Sequence, residues 1–149
     1  MPRGGQTIQI LATFPDLQLS ATVTVYTPET NPLVGTWRER AALPCESEKG
    51  EIPGEINELI FNADGTFSLT WYPFEVYRDY WGTYTYDALT GRLVMTINGG
   101  NYVPQTVDLD GTAAVQDDGS IRLDGMYFGP PSGSDHGPVE PTCGYILDR

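Results

Sequence analysis

The chain has 149 residues, enough for one domain with its own core. It carries 20 Asp+Glu against 8 Lys+Arg, a formal charge of -12. That balance argues against a nucleic-acid backbone as partner, because phosphate binding is driven by cations, and against an anionic membrane surface. The charge is read as keeping a soluble monomer apart from its copies, with a cationic ligand or Ca²⁺ as the other reading.

The first residues, MPRGG, hold no apolar signal-peptide core and read as a trimmed boundary. No run of about 18 apolar residues follows, so no membrane insertion is expected. Helix signals are scarce. Strand signals, short runs of alternating polarity broken by Gly, Pro, Asn and Asp, occur throughout. Thr7–Phe14 and Leu17–Tyr26 alternate around Pro15-Asp16 and predict a hairpin. The segment Thr27–Pro32, broken twice by proline, reads as a linker or a crossing. Two units follow: residues 1–27, a hairpin or the tail of a preceding β domain, and residues 33–149, the main domain.

From Leu33 the chain predicts a meander. A strand from Gly35 to Leu43 ends at Pro44, and Cys45–Glu55 is a polar loop. The segments INELIF and TFSLTWY are joined by the turn NADG, and YWGTYTYD and RLVMTI by ALTG. Asp-Gly steps of this kind favour the positive φ of tight hairpins. NGGN then leads into YVPQTVDLDGTAAV, QDDG leads into SIRLDGMYFG, and a Gly/Pro/Ser-rich loop, Gly129–Thr142, precedes CGYILD. About eight sequential antiparallel strands joined by tight turns favour an up-and-down barrel or a sandwich.

The segments LVGTWRE, ELIFNADGTFSL and WGTYTYDALTGRLVMTI resemble the bacterial lipocalin-like domains of the calycin group. The matching residues are Gly35 and Trp37; Phe61, Asp64, Gly65 and Phe67; and Gly82, Tyr84 and Tyr86. The resemblance spans Leu33–Leu147. It implies an all-β, antiparallel up-and-down lipocalin-like barrel of about eight strands, with Thr7–Tyr26 as an extra hairpin. It also implies an arginine packed over the motif tryptophan, for which Arg122 and Arg149 are the candidates. Physically, a tryptophan at the narrow end of a barrel plugs it while its indole N–H finds a carbonyl. A neighbouring glycine lets the strand bend or another group approach.

Chemistry-bearing residues are few. The segment Thr70–Tyr86 holds two tryptophans, five tyrosines and one phenylalanine. Its candidate ligand contacts are Trp71, Tyr72, Phe74, Tyr77, Tyr80, Trp81 and Tyr84, at one mouth of the barrel, against the plainer reading that these rings fill a core. The only histidine, His136, sits between Asp135 and Gly137 in a loop. A triad drawn from it with Ser134 and Asp135 has the wrong spacing. Glu39, Glu75 and Asp79 are the carboxylates a hydrolytic pair would need. The DLDG and QDDG stretches fail the spacing of a calcium loop, so no metal, cofactor or catalytic residue is assigned. Cys45 and Cys143 are read as a disulfide, with two buried thiols or metal or redox chemistry as alternatives. The absence of a CxxC pattern weighs against the last. Low lysine and high Gly, Pro, Thr and Tyr fit an extracytoplasmic setting, periplasmic, secreted or lipoprotein-anchored.

The expected function is non-enzymatic binding of a small apolar or amphipathic molecule in the barrel. One alternative is a filled barrel serving as a structural or protein-interaction module. Another is a barrel enzyme, a cyclase or isomerase that shapes its substrate.

Overall fold

Short alternating runs separated by turn residues leave the chain little choice but strands. In a computed structural model, residues 6–25, 31–46, 50, 52–53, 55–72, 78–130 and 142–149 are described. They form β1 Gln6–Phe14, β2 Leu17–Val25, β3 Gly35–Pro44, β4 Ile52–Pro53, β5 Ile56–Phe61, β6 Thr66–Trp71, β7 Tyr80–Tyr86, β8 Arg92–Gly100, β9 Asp110–Val115, β10 Ile121–Asp124 and β11 Thr142–Asp148. Strands β1 and β2 make a separate two-stranded sheet. Strands β3 and β5 to β11 each pair antiparallel with the next, and β11 returns to pair with β3. The result is a closed eight-stranded antiparallel barrel beside an N-terminal hairpin.

Alternation decides what faces inward. On β6, Phe67, Leu69 and Trp71 point in and are buried, as are Tyr80 and Tyr84 on β7. Short strands β4 and β5 behave as one interrupted strand. Pro53 stands opposite Ala41 and Leu59 opposite Trp37, so the β4–β5 side carries extra residues that must bulge. The bulge leaves amides without a ladder partner. Glu39 supplies the acceptor: its Oε2 receives the N–H of Glu55 at 3.0 Å and of Ile56 at 2.8 Å.

At the base of the barrel Trp37 is buried beside Gly35. The indole N–H of Trp37 donates to the carbonyl of Leu33 at 2.7 Å, and the ring is 1 % exposed. The guanidinium of Arg149 stacks over that ring, 4.5 Å from its centroid. The same group donates to the carbonyls of Pro32 (3.3 Å) and Val34 (3.5 Å). Gly35 has φ +140°, and a Cβ there would come within 3.0 Å of Arg149 Nη1. A side chain at position 35 would therefore be strained and would crowd the arginine. Arg122, the other candidate for this place, is on the outside, paired with Asp124 at 3.0 Å. A buried chain completes the base: Asn31 Nδ2 donates to the Tyr84 hydroxyl (3.0 Å), which donates to the carbonyl of Asn62 (2.7 Å).

At the other end, Cys45 and Cys143 are joined in a disulfide across the β3–β11 seam. Two expected strands are shorter than their polarity pattern suggests. Strand β9 begins only at Asp110, six residues after Pro104. Strand β10 stops at Asp124, where Gly125 takes φ +70°. The expected loop Cys45–Glu55 contains β4.

The disulfide closes a loop with a sequence separation of 98, so the chain-entropy account assigns it about 4.7 kcal/mol. Urea unfolding of the Cys45→Ser/Cys143→Ser variant is expected to show a loss of about 3–5 kcal/mol with the barrel's near-ultraviolet circular dichroism retained. A loss below about 1 kcal/mol would mean that the seam holds without it.

Candidate functional site at the upper end of the barrel

Strands β6 and β7 bring Trp71 and Tyr80 to the inward faces of neighbouring strands at the end opposite Trp37. Both are buried, at 2 % and 0 % exposure. Tyr72 and Trp81 point away from the interior and are exposed. Tyr84, also inward, belongs to the closed base and is held by Asn31 and Asn62. Phe74 and Tyr77 lie outside the described residues, as do Glu75, Ser134, Asp135 and His136. The aromatic segment is thus divided between interior, exterior and base.

The strongest feature of the upper end is a crossing of the chain that sequence reasoning missed. Phe128 is fully buried. Its N–H donates to the Tyr145 hydroxyl at 3.0 Å, and its carbonyl receives the Tyr80 hydroxyl at 2.8 Å. Tyr145 is on β11 and Tyr80 on β7, four places apart in a ring of eight strands. Opposite walls therefore grip one peptide between them, and Met126–Gly129 forms a strap across the barrel. The rings of Phe128 and Tyr145 lie 4.9 Å apart, tilted at 39°. Burial pushes the phenol of Tyr80 well above its usual range, and burial likewise raises that of Tyr145. Both remain protonated through the physiological range, and Tyr80 can keep donating to the strap.

Beyond the strap, the β8–β9 connection folds against it. A cleft of about 480 Å³ lies between Tyr102, Val103, Pro104, Gln105, Thr106 and Pro130. Gly129 has φ +94°, and a Cβ there would sit 2.4 Å from Pro104 Cβ, so only glycine lets the strap close onto this connection. Tyr102 Oη donates to the carbonyl of Pro130 at 3.4 Å. Asp79, fully buried, ties the cleft to the barrel. Its Oδ2 accepts the N–H of Trp71 at 2.8 Å, and its carbonyl accepts the N–H groups of Asn101 (2.7 Å) and Tyr102 (2.9 Å). The sequence did carry a signal here: a proline inside an otherwise alternating run, YVPQT, and a Gly-Pro step at Gly129-Pro130.

Two polar groups of the interior stand out. The indole N–H of Trp71 is buried and has no acceptor among the described residues. Burial pushes the carboxyl of Glu39 above its ordinary value, against the lowering effect of its two backbone donors. Glu39 and Asp79 both serve backbone amides, the work of structural carboxylates. Among the described residues no group of three or more His, Cys, Asp or Glu is placed to hold a metal. The QDDG stretch is a turn in which Asp118 accepts from Ser120. No family model matches the chain, and neither a curated protein nor a solved structure matches it.

Two outcomes follow from these hydrogen bonds. Trp37→Phe orphans the Leu33 carbonyl and removes a bonded indole, whereas Trp71→Phe deletes a donor that has no partner among the described residues. Unfolding free energies are expected to show Trp37→Phe costing about 1–2 kcal/mol more than Trp71→Phe. Equal losses would show that ring volume alone matters. For Glu39, a raised native value means that the folded state binds its proton more tightly than the unfolded chain. Stability tied to this group is complete below the ordinary value of 4.5 and is lost as pH rises through the native value. Glu39→Gln keeps an acceptor and removes the loss, so its stability relative to the parent should rise as pH climbs above the ordinary value of 4.5 through the raised native value. A flat difference over that range would count against the assignment.

Proposed function

We propose that this chain binds a small amphipathic molecule at the upper end of the barrel, in the cleft between the β8–β9 connection and the strap, without catalysing a reaction. The cleft itself carries the reading. Its volume of about 480 Å³ falls in the range of about 300–1,000 Å³ typical of small-molecule sites. Its wall combines a tyrosine ring, two prolines and a valine with the amide of Gln105 and the hydroxyl of Thr106. Such a wall suits an apolar body with one or two polar groups. The charge of -12 favours a neutral or cationic molecule over an anion. Trp71 and Tyr80 support the site from below, through Asp79 and the strap. The pattern of Gly35, Trp37 and Arg149 supports a barrel of the lipocalin-like type, and the disulfide supports an extracytoplasmic setting.

A filled barrel serving as an interaction module is the second reading. The dense interior favours it: Trp37, Phe61, Phe67, Leu69 and Phe128 are each 1 % exposed or less. An enzyme that shapes its substrate inside the barrel has less support, since the Tyr80 and Tyr145 hydroxyls both engage the strap's backbone.

The test is a thermal-shift and native mass-spectrometry screen of neutral and cationic amphipathic compounds against the disulfide-bonded protein. A hit of one-to-one stoichiometry is expected, weakened about tenfold or more by Tyr102→Ala and by Val103→Asp, since burying one such side chain is worth about 1.5–3 kcal/mol. A protein silent across the panel, or a hit indifferent to both substitutions, would overturn the cleft as the site.

A further inference from the structure

The hairpin β1–β2 has an apolar face that no described residue of the chain covers. Its register sets Ile8 opposite Val23, Ile10 opposite Ala21, Ala12 opposite Leu19 and Phe14 opposite Leu17. Cross-strand partners share a face and alternate positions repeat it, so these eight apolar side chains lie together. Gln9, Thr13, Gln18, Ser20 and Thr22 lie on the other side, with Leu11. The large members of the apolar face are 40–55 % exposed, and the hairpin packs on no strand of the barrel among the described residues. A two-stranded ribbon is at best marginally stable alone in water, so this one lacks the layer that would hold it.

We propose that the missing layer is the same hairpin of a second copy, and that β1–β2 is a homodimerisation element. Three observations favour this occupant. First, the face is uniformly apolar, so it is complementary to itself, as a twofold interface requires. Second, it is nearly free of the charge that keeps copies of an acidic protein apart. Between residues 6 and 25 the only charged side chain is Asp16, at the turn, whereas residues 31–149 hold 18 acidic and 7 basic residues, a balance of -11. Third, the area suffices. Ile8, Ile10, Phe14, Leu17, Leu19 and Val23, each roughly half exposed, offer on the order of 100 Å² apiece. Two copies face to face would then remove on the order of 1,200 Å², above the about 1,000 Å² expected of a specific interface. Two such ribbons stacked in this way form a small four-stranded sandwich. Such a dimer would stand in place of the charge-driven monomer expected from composition, because the charge lies outside the hairpin.

Sedimentation of the full chain over a range of concentrations tests this. The 16.4 kDa protomer should associate to twice that mass. Ile10→Lys/Leu19→Lys, on the apolar face, should weaken association by at least about 100-fold. Gln9→Lys/Thr22→Lys, on the polar face, should change it by less than about threefold. Near-ultraviolet circular dichroism should show an intact barrel in each variant, because the hairpin touches none of its strands. A protomer mass at every concentration, or a dimer that survives Ile10→Lys/Leu19→Lys, would overturn the proposal. So would a monomer that co-sediments with phosphatidylcholine vesicles and loses that binding in the apolar-face variant, which would mark the face as membrane-seeking.

Discussion

Closure of the first barrel strand onto the last is the constraint on which the rest of this structure depends. An eight-stranded sheet left open would expose two edges of unpaired N–H and C=O groups. Here the seam is secured at both ends by different chemistry. At the upper end the Cys45–Cys143 bond is covalent. At the base, Arg149, the final residue of the sequence given, reaches back to the carbonyls of Pro32 and Val34 and covers the ring of Trp37. Between them the ladder itself is irregular, with register shifts between Thr142 and Gly144 and between Ile146 and Leu147. A seam with a disturbed ladder is where extra fastening matters most.

Once the wall is closed, the interior must be filled or left open, and both ends show how filling is arranged. The base uses an indole whose one polar atom is satisfied locally. The upper end uses a backbone strap, which brings its own polar groups into an apolar space. An unsatisfied buried peptide costs as much as a lost hydrogen bond or more. Tyr80 and Tyr145 remove that cost by meeting the N–H and C=O of Phe128 from opposite walls. The same strap defines one side of the cleft, so interior packing and the rim's shape are coupled. Asp79 extends the coupling, since one buried carboxylate and its own carbonyl join Trp71 to Tyr102.

Much of the wall was legible in the sequence because alternation and turn chemistry are local. The faces of β6 and β7 followed from period two. The hairpin turns followed from Asp-Gly and its relatives, and the plug from Trp37 after Gly35. What was not legible depends on residues distant in the chain. Nothing local distinguishes Arg149 from Arg122 as the partner of Trp37; the choice is made by the register of β11 against β3. The cleft was hidden because YVPQTV alternates like a strand, and Pro104 had to be weighed against five favourable neighbours. The strap was hidden for the same reason, since MYF after Gly125 continues the polarity of β10. The aromatic cluster at Thr70–Tyr86 was the most conspicuous signal for a site. Its described members part because adjacent residues on a strand face opposite ways: Tyr80 inward, Trp81 outward.

The two parts of the molecule also differ in what they ask of the folding chain. The hairpin pairs residues no more than 19 apart, from Gln6 with Val25 to Phe14 with Leu17, and local ribbons of this kind form in microseconds. The barrel cannot close until segments about 100 residues apart meet, a slow step governed by topology. The hairpin's apolar face is therefore presented before the barrel exists to be stabilised. During that interval the acidic remainder of the chain repels its copies at long range, while the hairpin offers attraction only at contact. Apolar surface and charge are thus segregated along the chain: residues 6–25 carry Asp16 alone, and residues 31–149 carry 18 acidic and 7 basic side chains.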